Sequence, residues 1–201
     1  MPQPKERYET VTEALIALGS NATSSVETSI ETLTEALVNL ESLTHHSIKI
    51  SKFYRTPAFP PGSGPDFVNA AALVRTSISA TCVLQKLHVI EAEFGRTRNE
   101  RWAPRTLDLD LIALGDTILP DRETLQQWMD LPLQRQMSEA PDDLILPHPR
   151  VQERAFVLVP LNDVAPHWRH PVLGLTVAEM TNRLDPAARA EIRPIAAPPG
   201  T

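Results

Sequence analysis

Cysteine is almost missing from this chain: Cys82 is the single one in 201 residues. That excludes a disulfide framework and a cysteine-built zinc site, and it fits a reducing cytoplasm. Glycine is scarce, with 7 against 19 prolines, and no Walker A sequence or glycine-rich loop occurs. Any phosphate must therefore be held by side chains rather than by a backbone cradle. An excess of positive charge is also missing. The net charge is −6 and the pI about 5.5, which argues against a general nucleic-acid-binding surface. No apolar run approaches the ~20 residues that cross a bilayer. Residues 14–18 are too short for a signal-peptide core and follow a polar, acidic stretch. The expectation is a cytoplasmic protein with no membrane and no nucleic-acid partner.

What is present describes one globular domain. Apolar residues make up 42% of the chain and charged ones 22%, enough to bury a core and to exclude disorder as the whole account. There is no internal repeat. The prolines mark the ends (Pro2, Pro4, Pro194, Pro198, Pro199) and one loop (Pro57, Pro60, Pro61, Pro65).

Residues 11–18 read as a strand ended by a turn at Gly19-Ser20-Asn21. Ser24 and Glu27 have capping-box spacing, and Val26, Ile30, Leu33, Leu37 and Leu40 follow on one helical stripe. Ile48 and Ile50 alternate with polar neighbours up to Tyr54, a second strand. After a proline-glycine loop at 56–66, residues 67–75 form a third, with Val68, Ala70, Ala72 and Val74 on one face. Val83, Leu87, Ile90 and Phe94 mark a helix stopped by Gly95, and residues 106–114 alternate as a fourth strand. The order is β-α-β-β-α-β, a ferredoxin-like α+β core. Helices at 151–163, shortened by Pro160, and at 176–184 form a C-terminal extension. Residues 1–10 and 186–201 read as tails around one domain at 11–185, with 121–143 as an insertion.

The chemistry concentrates in two adjoining stretches. In Thr106-Leu107-Asp108-Leu109-Asp110-Leu111 the two carboxylates share a strand face, about 7 Å apart. Strands disfavour aspartate, so the pair is either a solvated outer face or a site for a hard cation such as Mg²⁺. Just before it, residues 96–105 hold four arginines, Arg96, Arg98, Arg101 and Arg105, around Trp102. A guanidinium's planar fork suits bidentate phosphate binding. Each arginine alone reads more simply as solvated; together with the aspartates they supply both halves of a polyphosphate–Mg²⁺ site. Downstream, His148, Arg150 and Arg154 stand near Phe156. Asn69, inside a strand, calls for a hydrogen-bonding role.

These residues resemble the 6-hydroxymethyl-7,8-dihydropterin pyrophosphokinase family of folate biosynthesis. The matching segments are Ile16-Ala17-Leu18-Gly19-Ser20-Asn21, Phe53-Tyr54-Arg55-Thr56-Pro57, Phe67-Val68-Asn69-Ala70-Ala71, the run from Arg101-Trp102-Ala103-Pro104-Arg105 through Asp110, and Pro147-His148-Pro149-Arg150. The resemblance covers residues 11–180 and implies pyrophosphate transfer from ATP to the pterin's hydroxymethyl oxygen, releasing AMP. Carried over by position, Asp108 and Asp110 would hold two Mg²⁺ ions, and Arg96 and Arg105 would neutralise the transferring group. Glu91, Arg98, Arg101, Trp102, Arg105, Leu111, His148 and Arg154 would line the ATP site. Thr56, Pro57, Phe59, Phe67, Asn69, Trp102, Asp108 and Phe156 would form the pterin site, Phe67 and Phe156 sandwiching the ring. The protein would act as a monomer. His88, where some members have a glutamine, and Pro149, which replaces an aromatic, depart from the pattern.

Two other classes compete. A ferredoxin-like sheet with aromatics and arginines can bind single-stranded RNA, but this chain is net acidic and places two aspartates on the strand in question. A metal-dependent phosphohydrolase could use the same acids and would release free phosphate instead of AMP.

Overall fold

The 9-residue strand β1 (Thr12–Ser20) is buried over its last seven positions, so both sheet faces must be covered along its length. A computed structural model of the chain, describing residues 11–21, 25–44, 47–57, 65–95, 106–132, 135 and 139–196, shows how. Helix α1 (Val26–Asn39) follows β1, and a 3₁₀ turn (Leu40–Leu43) extends it. Strands β2 (Lys49–Ile50), β3 (Tyr54–Thr56) and β4 (Phe67–Thr76) come next, then α2 (Ala80–Glu93) and β5 (Asp108–Leu114). Helices α3 (Arg122–Met129), α4 (Ala155–Val164), α5 (Val177–Arg183) and α6 (Pro186–Ala190) lead to β6 (Arg193–Pro194). The sheet runs β5-β1-β4-β3-β6, with β2 also on β4, and all its pairings are antiparallel.

One face packs on α1 and α2. Ile16, Leu18, Val68, Ala70, Ala72 and Val74 meet Leu33, Leu37, Val83, Leu87 and Ile90 there. The other packs on α4 and α5, where Leu15, Ala17, Ala71 and Leu73 meet Val157, Leu158, Leu161, Val177 and Met180. The architecture is α+β, as expected, but from β1 to β5 the order reads β-α-β-β-β-α-β, because the second strand is split into β2 and β3. The helix stripes and the shared face of Val68, Ala70, Ala72 and Val74 are as expected, and Gly95 ends α2's segment at φ +76°, which favours glycine.

Several details differ from the sequence reading. Gly19 and Ser20 lie inside β1 instead of forming a turn. The cap of α1 is Ser25, whose hydroxyl accepts from the Thr28 N–H; Ser24 lies outside the described residues. Pro160 sits within α4 without ending it. Residues 186–196, expected as part of a tail, carry α6 and β6, and Ile195 N–H donates to Phe53 O. Leu119 and Leu146, which flank the residues expected as an insertion, exchange paired backbone hydrogen bonds.

The second strand is the most consequential difference. It is broken: Ile50 pairs with Ala72 but Tyr54 pairs with Asn69. One extra residue has entered between them, held where Ser51 N–H donates to Ala71 O and the Ser51 hydroxyl accepts from Ala71 N–H. A one-residue slip turns every later side chain to the opposite face. Tyr54 and Thr56 therefore leave the α1–α2 face of Ile48 and Ile50 and join Asn69 on the α4 face. There the Tyr54 hydroxyl donates to Asp163 of α4 at 2.8 Å, and burial with that carboxylate pushes its pKa up to about 12.

His170 is fully buried near the start of α5. Its Nδ1 accepts from the Val172 and Leu173 N–H groups, its ring meets Trp168 edge-on at 5.8 Å, and its Nε2 is buried without a partner among the described residues. Burial pushes its pKa down to about 4. Between pH 6.5 and 4 the unfolded chain then binds more protons than the folded one, so stability falls as pH drops through that window. The total loss is ~3 kcal/mol once both values are passed. Urea midpoints measured from pH 7 to 4 should show this decline, and His170→Asn should flatten it. An unchanged slope in the variant would assign the acid sensitivity to other groups.

Candidate active site

Past Ala17 and Ala71, the α4 face of the sheet turns polar. Four adjacent strands contribute one row across it: Tyr54, Asn69, Gly19 and Asp108. Asp110 lies opposite Ala17 one row back, and Thr56 and Phe67 one row forward. The aspartates share a face as their alternation requires, while Leu109 and Leu111 enter the α1–α2 core. Strict alternation ends at Ile112. Leu111 pairs with Ile16 and Ala113 with Leu15, so Ile112 is an extra residue in β5. Its carbonyl accepts from His148 N–H at 2.8 Å, which ties the Pro147–His148–Pro149 segment to the acid-bearing strand.

On one side of the row, the buried Asn69 side-chain N–H donates to the Thr56 hydroxyl at 2.8 Å. On the acid side, Arg154, the residue before α4, places a guanidinium nitrogen 3.6 Å from an Asp110 oxygen. The same guanidinium lies 5.8 Å over the Phe156 ring, within cation–π range. Phe156 is 40% exposed, an unusual position for an aromatic that served only the core.

His148 Nδ1 accepts from the Arg150 N–H at 3.1 Å, leaving Nε2 to carry the proton of the neutral ring. Burial, reinforced by the Arg154 and Arg150 guanidiniums, pushes its pKa down to about 3. A neutral imidazole can offer one directed donor without adding charge.

Glu91 and Leu111 stand apart from this face. Leu111 is buried in the α1–α2 core, so its side chain does not reach the aspartates. Glu91 is buried on α2 and accepts from the Leu109 N–H at 2.8 Å, holding β5 between its two aspartates. Glu91→Ala would leave that buried N–H without its acceptor, so a loss of ~1–3 kcal/mol is expected by urea denaturation. Glu91→Gln, which keeps an oxygen there, should lose less. Equal stability in both variants and the parent would show that the contact carries no weight.

The carboxylate pair suits Mg²⁺. Among the described residues no third His, Cys, Asp or Glu joins a cluster with them, and Mg²⁺ binds through one or two carboxylates, keeping waters and taking phosphate oxygens. The Asp110 side chain is 39% exposed and already faces a cation in Arg154.

The model of the 7,8-dihydro-6-hydroxymethylpterin-pyrophosphokinase family matches residues 15–166. The chain belongs to this family. A 2-amino-4-hydroxy-6-hydroxymethyldihydropteridine pyrophosphokinase of Synechocystis is 40% identical over 146 residues, 73% of this chain and 64% of that protein. The Haemophilus influenzae protein of the same name is 35% identical over 153 residues, 76% of this chain and 81% of its own length. The chain thus spans just under two thirds of the Synechocystis relative and most of the Haemophilus one. The wild-type Plasmodium falciparum HPPK-DHPS crystal structure matches with a TM-score of 0.58 at 16% identity, over 87% of this chain and 45% of that one, a likeness of fold.

Of the site residues expected for the family, Thr56, Phe67, Asn69, Asp108 and Asp110 share one face, which Arg154 and His148 also approach. Pro57 follows β3 and is exposed. Phe59, Arg96, Arg98, Arg101, Trp102 and Arg105 lie outside the described residues. Three contributors lie in the segments that carry the family resemblance but are not among the residues expected at the site. Ser20, fully buried, donates its hydroxyl to Thr106 O at 2.7 Å, anchoring the approach to β5. Arg150 has a buried Nε without a partner among the described residues. Gly19 occupies the middle of the polar row. The one signal for Gly19 and Ser20, their place in the Gly19-Ser20-Asn21 run, reads equally well as a turn.

Proposed function

We propose that this chain transfers the terminal pyrophosphoryl group of ATP to the hydroxymethyl oxygen of 6-hydroxymethyl-7,8-dihydropterin, in folate biosynthesis. The bond from that oxygen to the β-phosphorus forms as the bond between the β-phosphorus and the oxygen of AMP breaks, and the hydroxyl proton is lost. The observation that carries this reading is the row itself: an amide-bearing slot at Asn69 and Thr56 beside a carboxylate pair, on one sheet face. In this reading the enzyme works as a monomer in the cytoplasm. No helix among the described residues is long and apolar enough to cross a membrane.

Asp108 and Asp110 would hold Mg²⁺, as two ions. When bound, the metal would supply positive charge that offsets that of the phosphates. Asn69 and Thr56 orient the pterin by hydrogen bonds, with Phe67 and Phe156 against its ring and Pro57 and Phe59 at the rim. Arg154 and the neutral His148 offer donors to the nucleotide, joined by Arg96, Arg98, Arg101, Trp102 and Arg105. Glu91 and Leu111 support β5, and only the Leu111 backbone is available to a nucleotide. The reaction asks for charge neutralisation and in-line positioning more than for a strong base.

Incubation with ATP, Mg²⁺ and the hydroxymethyl pterin tests the reading. AMP and a diphosphorylated pterin in equal amounts are expected. Free phosphate without a modified pterin would establish a phosphohydrolase and overturn it.

A further inference from the structure

The contact between Thr56 and Asn69 exists in only one of two registers open to the segment before it. If the Ile50–Ala72 pairing ran on without interruption, Phe53 would stand opposite Asn69, Tyr54 opposite Val68 and Arg55 opposite Phe67. Thr56 would then point to the α1–α2 face and could not meet the Asn69 amide. The extra residue reverses this. It leaves Phe53 packed against the α1–α2 core and puts Tyr54 and Thr56 opposite Asn69 and Phe67. Strand β3 has only three residues, too few ladder bonds to fix a register by themselves.

Ser51 holds the bulge from within the sheet, through its two bonds to Ala71. A second hold comes from outside it. One carboxylate oxygen on α4, Asp163 Oδ2, accepts from the Lys52 N–H at 3.2 Å and from the Tyr54 hydroxyl at 2.8 Å. It therefore straddles the irregular segment, with one bond on each side of Phe53. In the uninterrupted register the Tyr54 side chain would lie on the opposite sheet face, so the hydroxyl bond forms only when the bulge is present. Asp163 is itself exposed, and α4 is seated on the sheet by Val157, Leu158, Leu161 and Val164. The helix is thus a firm anchor that does not depend on this carboxylate, and the short strand is the part being held.

We propose that Asp163 is a positioning residue for the substrate slot: by accepting from both Lys52 and Tyr54 it locks the bulge that turns the Thr56 hydroxyl toward the Asn69 amide. The inference rests on the pterin reading above and deepens it. It gives the buried Tyr54 hydroxyl a task as a strut between α4 and β3 rather than as a ligand contact. It also confines the effect to one end of the site, because Asp163 lies about 13 Å along the helix axis from Arg154, which faces Asp110.

Asp163→Ala, Asp163→Asn and Tyr54→Phe test it, alongside Asn69→Ala. Calorimetry reads hydroxymethyl pterin affinity in the presence of a non-hydrolysable ATP analogue and Mg²⁺, affinity for the analogue alone, and melting temperature. Asp163→Ala should weaken pterin binding about tenfold, with analogue affinity held within about twofold. Asp163→Asn, which keeps an oxygen as acceptor, should recover most of the loss. Unchanged pterin affinity in Asp163→Ala, with Asn69→Ala impaired, would overturn the role. Parallel loss of both affinities and of melting temperature, unrelieved by Asp163→Asn, would make Asp163 a purely structural contact and overturn the role as well. Unchanged pterin affinity in Asn69→Ala would instead show that the pterin reading of the slot is wrong. The lock is then read without any ligand, by amide hydrogen exchange of residues 52–56. Exchange there should quicken in Asp163→Ala and Tyr54→Phe, and equal exchange would overturn the inference whatever the slot binds. If Asp163→Ala does not fold, Tyr54→Phe carries both measurements, with about threefold weaker pterin binding expected from the loss of one of the two bonds.

Discussion

Asp108→Asn and Asp110→Asn are each expected to cut turnover by roughly 10²- to 10⁴-fold while the protein still folds. Metal polarisation of a phosphoryl group supplies several kcal/mol, and each 1.36 kcal/mol is tenfold in rate. Stability answers to a different balance. Two carboxylates on one strand face repel, so removing one charge relieves a cost that the free protein bears. Asp110 also loses its 3.6 Å pairing with Arg154, but a pair this exposed contributes only ~0–1 kcal/mol. The net effect on melting should be small. Thermal stability and turnover of both variants across a Mg²⁺ titration provide the measurement. If the acids were merely a solvated strand face, stability would shift by about ±0.5 kcal/mol and activity would persist. Near-normal turnover of either variant at millimolar-range Mg²⁺ would falsify the metal site.

Phe156→Ala should weaken pterin binding by roughly 10- to 100-fold, from the loss of ring burial and stacking together. Binding of an ATP analogue should change little. The ring is 40% exposed in the free protein, so truncating it removes little packing, and melting should barely move. Its contact with the Arg154 guanidinium is worth ~0.5–1 kcal/mol at such a site, which bounds any indirect effect on the nucleotide side. Calorimetric titration with each ligand separates the cases. Equal loss of both affinities with a lowered melting temperature would reduce Phe156 to a packing residue.

Much of the architecture was legible because its signals are local. The stripes of α1 and α2, the shared face of Val68, Ala70, Ala72 and Val74, and the Asp108–Asp110 pair follow from periods of 3.6 and 2 that one segment carries by itself. The resemblance to the family likewise rests on contiguous runs. By itself the sequence determined the α+β class, the acid pair and its basic neighbourhood in the chain, and the exclusion of disulfide and glycine-loop chemistry.

Register is not a local property, and register decided the site. The extra residue between Ile50 and Tyr54 turns Thr56 toward Asn69, and nothing in the alternation of that segment announces it. Ile112 similarly re-aims the far end of β5 and presents the carbonyl that holds His148. Gly19, read from its own segment as a turn residue, takes its place in the row because β4 and β5 bring Asn69 and Asp108 to its two sides. Pro160 survives inside α4 and β6 joins the sheet edge because packing and strand pairing outweigh local propensity. A bulge is chosen by what two strands and a helix can bury together, and that choice exists only once the tertiary structure has formed.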